Sequence, residues 1–97
     1  MISRIYIIMA KAGEETKLQG LLSQLIDVLA KVETCLGGEI LHDRGNPRRF
    51  LLVERWTDQP AHEAARAGLP EDLVNQLAAC FDGEIDGSYY ETVASAS

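Results

Sequence analysis

The stretch Phe50-Leu51-Leu52-Val53-Glu54-Arg55-Trp56, followed by Thr57-Asp58-Gln59-Pro60, decides the fold of this chain. Side chains of a strand alternate between faces, so Phe50, Leu52, Glu54 and Trp56 share one side and Leu51, Val53 and Arg55 the other. Apolar residues on both sides mark a strand that is covered twice. Thr57 or Asp58 can cap the helix that follows, with Pro60 in its first turn, where proline is tolerated. A carboxylate and the chain's only tryptophan stand where this strand meets that helix. They are expected to form the rim or wall of a cavity.

Upstream, residues 2–11 read as another strand, with Ile2, Tyr6 and Ile8 on one face and Ile5, Ile7 and Met9 on the other. Ala12-Gly13 turns the chain. Leu18, Leu21, Leu22, Leu25, Leu29 and Val32 then recur at helical spacing, and Gly37-Gly38 is expected to break that helix. Glu14 and Glu15 open it and Lys31 lies near its end, as the helix dipole prefers. A strand from Glu39 to about Asp43 and a turn at Arg44-Gly45-Asn46-Pro47 lead into the central stretch.

Downstream, Gly68 ends the short helix and Pro70 opens another, carrying Leu73, Val74, Leu77 and Phe81. Asp82-Gly83 turns into a last strand over about Glu84–Thr92, and residues 94–97 read as a frayed tail. The order is β-α-β-β-α-β with the second helix in two pieces, in a single domain over residues 1–97. It predicts a ferredoxin-like α+β sandwich, an antiparallel sheet with helices on one face. The other face is apolar, so it is expected to meet the same face of an identical subunit, giving a homodimer.

Size and composition narrow the function classes. A chain of 97 residues buries roughly 60–70% of its unfolded surface, enough for one small core. A net charge of −6 and the absence of a basic run argue against nucleic acid and anionic membrane as partners. The apolar run at the start is interrupted by Arg4 and followed by an acidic amphipathic helix, so it reads as a strand rather than a signal peptide. No stretch approaches a membrane span. Cys35 and Cys80 lack metal-ligand spacing and are expected to be reduced, part-buried residues of a cytoplasmic protein. No phosphate-binding glycine loop, metal set or Ser-His-Asp order is visible, so no cofactor is expected.

In element order the chain resembles the antibiotic biosynthesis monooxygenase family of dimeric α+β barrels. The resemblance rests on Phe50-x-Leu52-x-Glu54-x-Trp56 with Thr57-Asp58 and the helix near Pro60. It is supported by Cys35-x-Gly37-Gly38, by Asp43…Asn46-Pro47-Arg48, and by Tyr89-Tyr90 in the last strand. It implies a dimer with a cavity in each subunit between sheet and helices. It also implies a small monooxygenase that uses neither metal nor flavin and acts with dioxygen on an electron-rich aromatic such as a quinol or anthrone. Non-catalytic ligand binding, isomerisation and haem degradation are alternatives within the same fold. The family's helix histidine would fall on Ala65 or Arg66, whereas His62 comes about one turn early.

The candidate site is drawn from these residues. Trp56 is either a cavity wall or core filler. Glu54, if buried, needs a partner such as Arg4, Arg55 or a helix cap, and otherwise is a candidate base or substrate contact. His62 has the intrinsic basicity for proton transfer near neutrality, yet stands among Ala, Glu and Arg on the border of a small-residue face of Ala61, Ala64, Ala65 and Gly68. Tyr6 offers a phenol from the first strand. Arg66 and His42 are candidate substrate contacts. Tyr89 and Tyr90 point to opposite faces, so at most one reaches the cavity.

Overall fold

The computed structural model describes residues 1–96. Its elements are β1 (Ile2–Met9), α1 (Glu15–Leu29), β2 (Cys35–His42), β3 (Arg49–Trp56), α2 (Gln59–Ala67), α3 (Glu71–Cys80) and β4 (Asp86–Tyr90). The four strands form one antiparallel sheet in the order β2-β3-β1-β4. This is the ferredoxin-like α+β arrangement, with the two apolar strands β1 and β3 at the centre.

Register places the buried residues of β3 opposite those of β1: Phe50 faces Ile8, Leu52 faces Tyr6, Glu54 faces Arg4 and Trp56 faces Ile2. A slip of a single residue would turn this whole set outward, so burial of one face fixes the pairing. The helices cover that face. Leu18, Leu21, Leu22, Leu25 and Leu29 of α1 and Leu73 and Leu77 of α3 pack with Ile8, Phe50, Leu52 and Trp56 into the core. On the opposite face Ile5, Ile7, Met9, Leu51 and Val53 are only half-buried.

Several boundaries differ from expectation. Helix α1 stops at Leu29 rather than at the glycine pair, because β-branched Val32 and Thr34 favour other backbone states. Tight turns continue it, with Lys31 N–H donating to Val28 O and Val32 N–H to Leu29 O, so Val32 still packs on the core. Gly37 and Gly38 belong to β2, where a bulge falls between Cys35 and Gly37. Gly37 takes φ 147° and a Cβ on Gly38 would stand 3.2 Å from Ile26 Cδ1, so both glycines serve the strand and the close approach of α1. Phe81 lies just beyond α3 in extended backbone, bridged to Ala10, rather than inside a helix.

Helix α2 is the element that closes over the centre of the sheet. Asp58, not Thr57, is its cap, accepting from Ala61 N–H at 2.8 Å, and Gly68 closes its other end. A cap of this kind is worth about 0.5–2 kcal/mol, which is substantial for a helix of nine residues. β4 is shorter than expected, and residues 91–96 come after it without regular structure. Ser97, the last residue of the expected frayed tail, lies outside the described residues. Among the described residues no helix is long and apolar enough to cross a membrane. Cys35 and Cys80 are free thiols, the first half-buried and the second buried.

Candidate active site

Three strands bring a row of functional side chains into register on the helix-covered face. Glu54 of β3 pairs with Arg4 of β1, which pairs in turn with Tyr89 of β4. Tyr6 stands two residues along β1 on the same face. Above this row α2 lowers His62, which is 3% exposed and is the one buried residue of that helix. The expected inner face of α2 therefore needs correction. Ala64 and Gly68 are exposed, and the side turned to the sheet runs through Ala61, His62, Ala65 and Leu69. His62 is aimed into the fold rather than at its border.

The imidazole is held at both nitrogens. Nε2 lies 2.9 Å from the Tyr6 hydroxyl and Nδ1 lies 2.6 Å from the Tyr89 hydroxyl. The Arg4 guanidinium lies over both phenol rings, 4.8 Å from the Tyr6 centroid and 4.3 Å from that of Tyr89. Cation–π contacts of this type contribute about 0.5–2 kcal/mol and tie the two rings together. Room for this stack comes from Gly87, which pairs with Tyr6. A Cβ there would stand 2.8 Å from both Arg4 Nη2 and the Tyr6 ring.

Glu54 is buried, and its partner is neither Arg55 nor a helix cap. The indole N–H of Trp56, two residues along the same strand face, donates to Glu54 Oε1 at 2.9 Å. The same oxygen lies 3.7 Å from His62 Nε2. Burial raises the Glu54 pKa above the ordinary carboxylate range, against the opposing pull of the Trp56 hydrogen bond and the Arg4 charge. Burial also lowers the His62 pKa to about 4, helped by the charges of Arg4 and Arg66 and opposed by Glu63. The imidazole is therefore neutral at pH 7, with one nitrogen donating and the other accepting. Burial likewise raises the Tyr6 pKa, in spite of the nearby Arg4 guanidinium.

These groups end a cavity of about 320 Å³ between the sheet and the helices. Tyr6, Glu54, His62 and Arg66 supply its polar lining, and Leu22, Leu25, Leu52, Leu69, Leu77 and Phe81 are among its apolar walls. Arg66 comes one helical turn after His62, which puts both on the same side of α2. An apolar cavity with a few convergent polar groups has the usual make-up of a small-molecule site. Among the described residues no three His, Cys, Asp or Glu side chains converge as metal ligands.

Four of the six residues singled out in the sequence thus meet at one cavity: Tyr6, Glu54, His62 and Arg66. The other two do not. Trp56 is fully buried and is not among the cavity's lining residues; it stands behind the site, its ring edge-on to His62 at 5.5 Å. A bulky indole at a central strand's end is drawn under the helices, so it buttresses the site rather than walling it. His42 lies on the edge strand β2, exposed, with Nε2 2.7 Å from Pro47 O and its ring stacked on Phe50 at 4.4 Å. It borders a different, open hollow shared with Ser23, Asp27 and Glu39. Sequence reasoning gives too little weight to two residues that the structure places against His62 and its partners. It offers Arg4 only as a partner for Glu54, and Tyr89 only as one of two alternatives, because their meeting depends on the pairing of β1 with β4.

With the fold and this site in place, the class of protein is that of small ferredoxin-like α+β domains, here with an apolar cavity between sheet and helices. The model of the antibiotic biosynthesis monooxygenase family matches residues 1–69, and the chain belongs to that family. No curated protein matches it in sequence. Its fold is similar to that of a crystal structure of an antibiotic biosynthesis monooxygenase, at TM-score 0.85 and 21% identity over 97% of this chain and 100% of the other. It is also similar to Rv0793 from Mycobacterium tuberculosis, at TM-score 0.85 and 17% identity over 99% and 98% of the two chains. SnoaB from Streptomyces nogalater, a cofactor-independent oxygenase, superposes as a variant at TM-score 0.81 and 12% identity, covering 97% and 94%.

Proposed function

We propose that this protein is a cofactor-independent monooxygenase that uses dioxygen to oxidise an electron-rich aromatic of the quinol or anthrone class. The observation that carries this reading is the neutral His62, hydrogen-bonded to Tyr6 at the polar end of an apolar cavity. Family membership and the likeness in fold to SnoaB support it.

The chemistry needs little from the protein. Loss of a proton from an activated ring CH₂ leaves a carbanion that passes one electron to dioxygen. The resulting radical and superoxide combine at carbon as a peroxide anion. That anion takes back one proton and eliminates water, leaving a new carbonyl. The substrate carbon supplies all four electrons, so one oxygen atom becomes the carbonyl and the other becomes water. His62 and Tyr6 accept and return the proton. The guanidinium of Arg66 stabilises the anionic states, and the apolar walls keep water from competing with these charges. Haem degradation fits less well, because both nitrogens of His62 are already engaged.

The experiment is oxygen uptake with a panel of quinols and anthrones, after dialysis against chelator. Uptake with one product carbonyl formed per dioxygen is expected. Ligand binding by calorimetry without uptake across the panel would favour a non-catalytic binding protein.

The functional unit proposed with this reading is a homodimer joined through the uncovered sheet face, where Ile5, Ile7, Leu51 and Val53 cluster on the central strands. Light scattering is expected to give twice 10.7 kDa. Ile5→Glu, opposite Val53 in the register, is expected to yield monomer; a wild-type monomer at micromolar concentration would rule the dimer out.

A further inference from the structure

We infer that Tyr89 completes a two-way proton relay, Tyr6–His62–Tyr89, which carries the substrate proton out of the cavity and then back in. This inference rests on the oxygenase reading above but concerns a residue that does not line the cavity.

The geometry sets the polarity. A neutral imidazole has one N–H and one lone pair, and here each nitrogen faces a hydroxyl that can either donate or accept. Two complete patterns exist. In the first, Tyr6 O–H donates to Nε2 and Nδ1–H donates to Tyr89 O. In the second, Nε2–H donates to Tyr6 O and Tyr89 O–H donates to Nδ1. Each pattern occupies both ring nitrogens; the hydroxyl hydrogen left over belongs in the first to half-buried Tyr89 and in the second to Tyr6, which borders the cavity.

A proton entering at Tyr6 converts the first pattern into the second. The substrate C–H proton moves to Tyr6 O, the Tyr6 proton to Nε2, the Nδ1 proton to Tyr89 O, and the former Tyr89 proton to solvent. Tyr89 is half-buried on the edge strand β4, where a proton can leave. The imidazole ends neutral in its other tautomer. Return of one proton along the same path, to the peroxide anion, restores the first pattern. Each turnover therefore uses the relay once in each direction, and protons balance.

The surroundings favour this over a proton stored on the ring. Arg4 lies against both tyrosines and Arg66 borders the cavity, so an imidazolium would face two cations as well as burial. Glu54, 3.7 Å from Nε2, is the nearby group of opposite sign. The Arg4 stack also fixes both rings, which keeps their hydroxyls on the imidazole.

The test is Tyr89→Phe, which keeps the ring and the Arg4 contact and removes only the hydroxyl. In ligand-free protein, ¹⁵N spectra of the His62 ring at pH 7 are expected to show both tautomers in the wild type. In the variant they should collapse to the Nε2–H form, since an orphaned lone pair at Nδ1 costs less than an orphaned N–H. A wild-type ring locked in one tautomer, or one indifferent to the substitution, overturns the relay. With a substrate that the wild type oxidises, Tyr89→Phe should lower kcat about 10-fold or more with KM little changed. A curved dependence of rate on deuterium fraction should become linear. Tyr90→Phe, on the opposite face, is the control and should leave all three readouts unchanged. If no substrate is found, the oxygenase reading falls while the spectra still decide the relay; if oxidation proceeds but the tautomers do not respond, the relay falls alone.

Discussion

The two histidines of this chain face the same side of the same sheet and have different fates. His42 stands on the edge strand, stacked on Phe50 and bonded to a loop carbonyl, beside an open hollow with Asp27 and Glu39. His62 descends from a helix onto the sheet's centre, where two phenols, a carboxyl and an indole surround it. Each ring makes sound hydrogen bonds, so bonding does not separate them. Water does. His42 is exposed to solvent, whereas at His62 the charged state must be accommodated among buried groups and two arginines, which suits a ring that moves protons without keeping them.

Direct replacement puts the most strain on this contrast. His62→Ala is expected to lower oxygen uptake by about 10²–10⁴, the range for loss of a general base, with KM changed far less. A rate within about 3-fold of wild type would erase the distinction between the two histidines.

A second test uses acid. His62 has a folded pKa of about 4 against an ordinary 6.5, so between these values the unfolded chain holds more protons than the folded one. His62's contribution to stability is therefore complete above pH 6.5 and declines as pH falls towards 4. At about 1.4 kcal/mol per unit, the loss approaches ~2–3 kcal/mol. Glu54, with its raised pKa, acts in the opposite sense. His62's share is thus the difference between wild type and His62→Gln in urea melts across that window, and parallel curves would refute it.

The smallest effect is expected at the other ring. His42→Ala should leave turnover within about twofold and cost about 1 kcal/mol from the lost stack on Phe50, read by urea denaturation.

Much of this is legible in the sequence, though unevenly. Alternation in Phe50–Trp56 and the leucine spacing of α1 are local periodicities, and they place strands, helices and their inner faces. The glycine pair misleads because a helix break and a strand bulge use the same residue; only the packing of Ile26 over Gly38 separates them. His62 is underrated for a similar reason. A short helix of Ala, Glu and Arg reads as solvated, and its roll over the sheet is set by tertiary contacts. Of the polar row Glu54–Arg4–Tyr89 the sequence offers Arg4 as a partner for Glu54, but not the alignment with Tyr89, since it joins residues from three strands whose pairing no local pattern specifies. For Trp56 the sequence leaves cavity wall and core filler open, because alternation tells which face a residue takes but not its depth.

Gly87 carries a consequence for how this chain tolerates change. On an edge strand, exchanging glycine for alanine ordinarily adds strand propensity and removes freedom from the unfolded chain, so it is among the safer substitutions. Here the added methyl would occupy the berth of the Arg4 head group and the Tyr6 ring. Gly87→Ala is expected to keep every polar residue of the site and to push Arg4 and Tyr6 out of alignment. A position with no functional group of its own thereby becomes one at which an ordinarily safe exchange displaces the groups that hold the site.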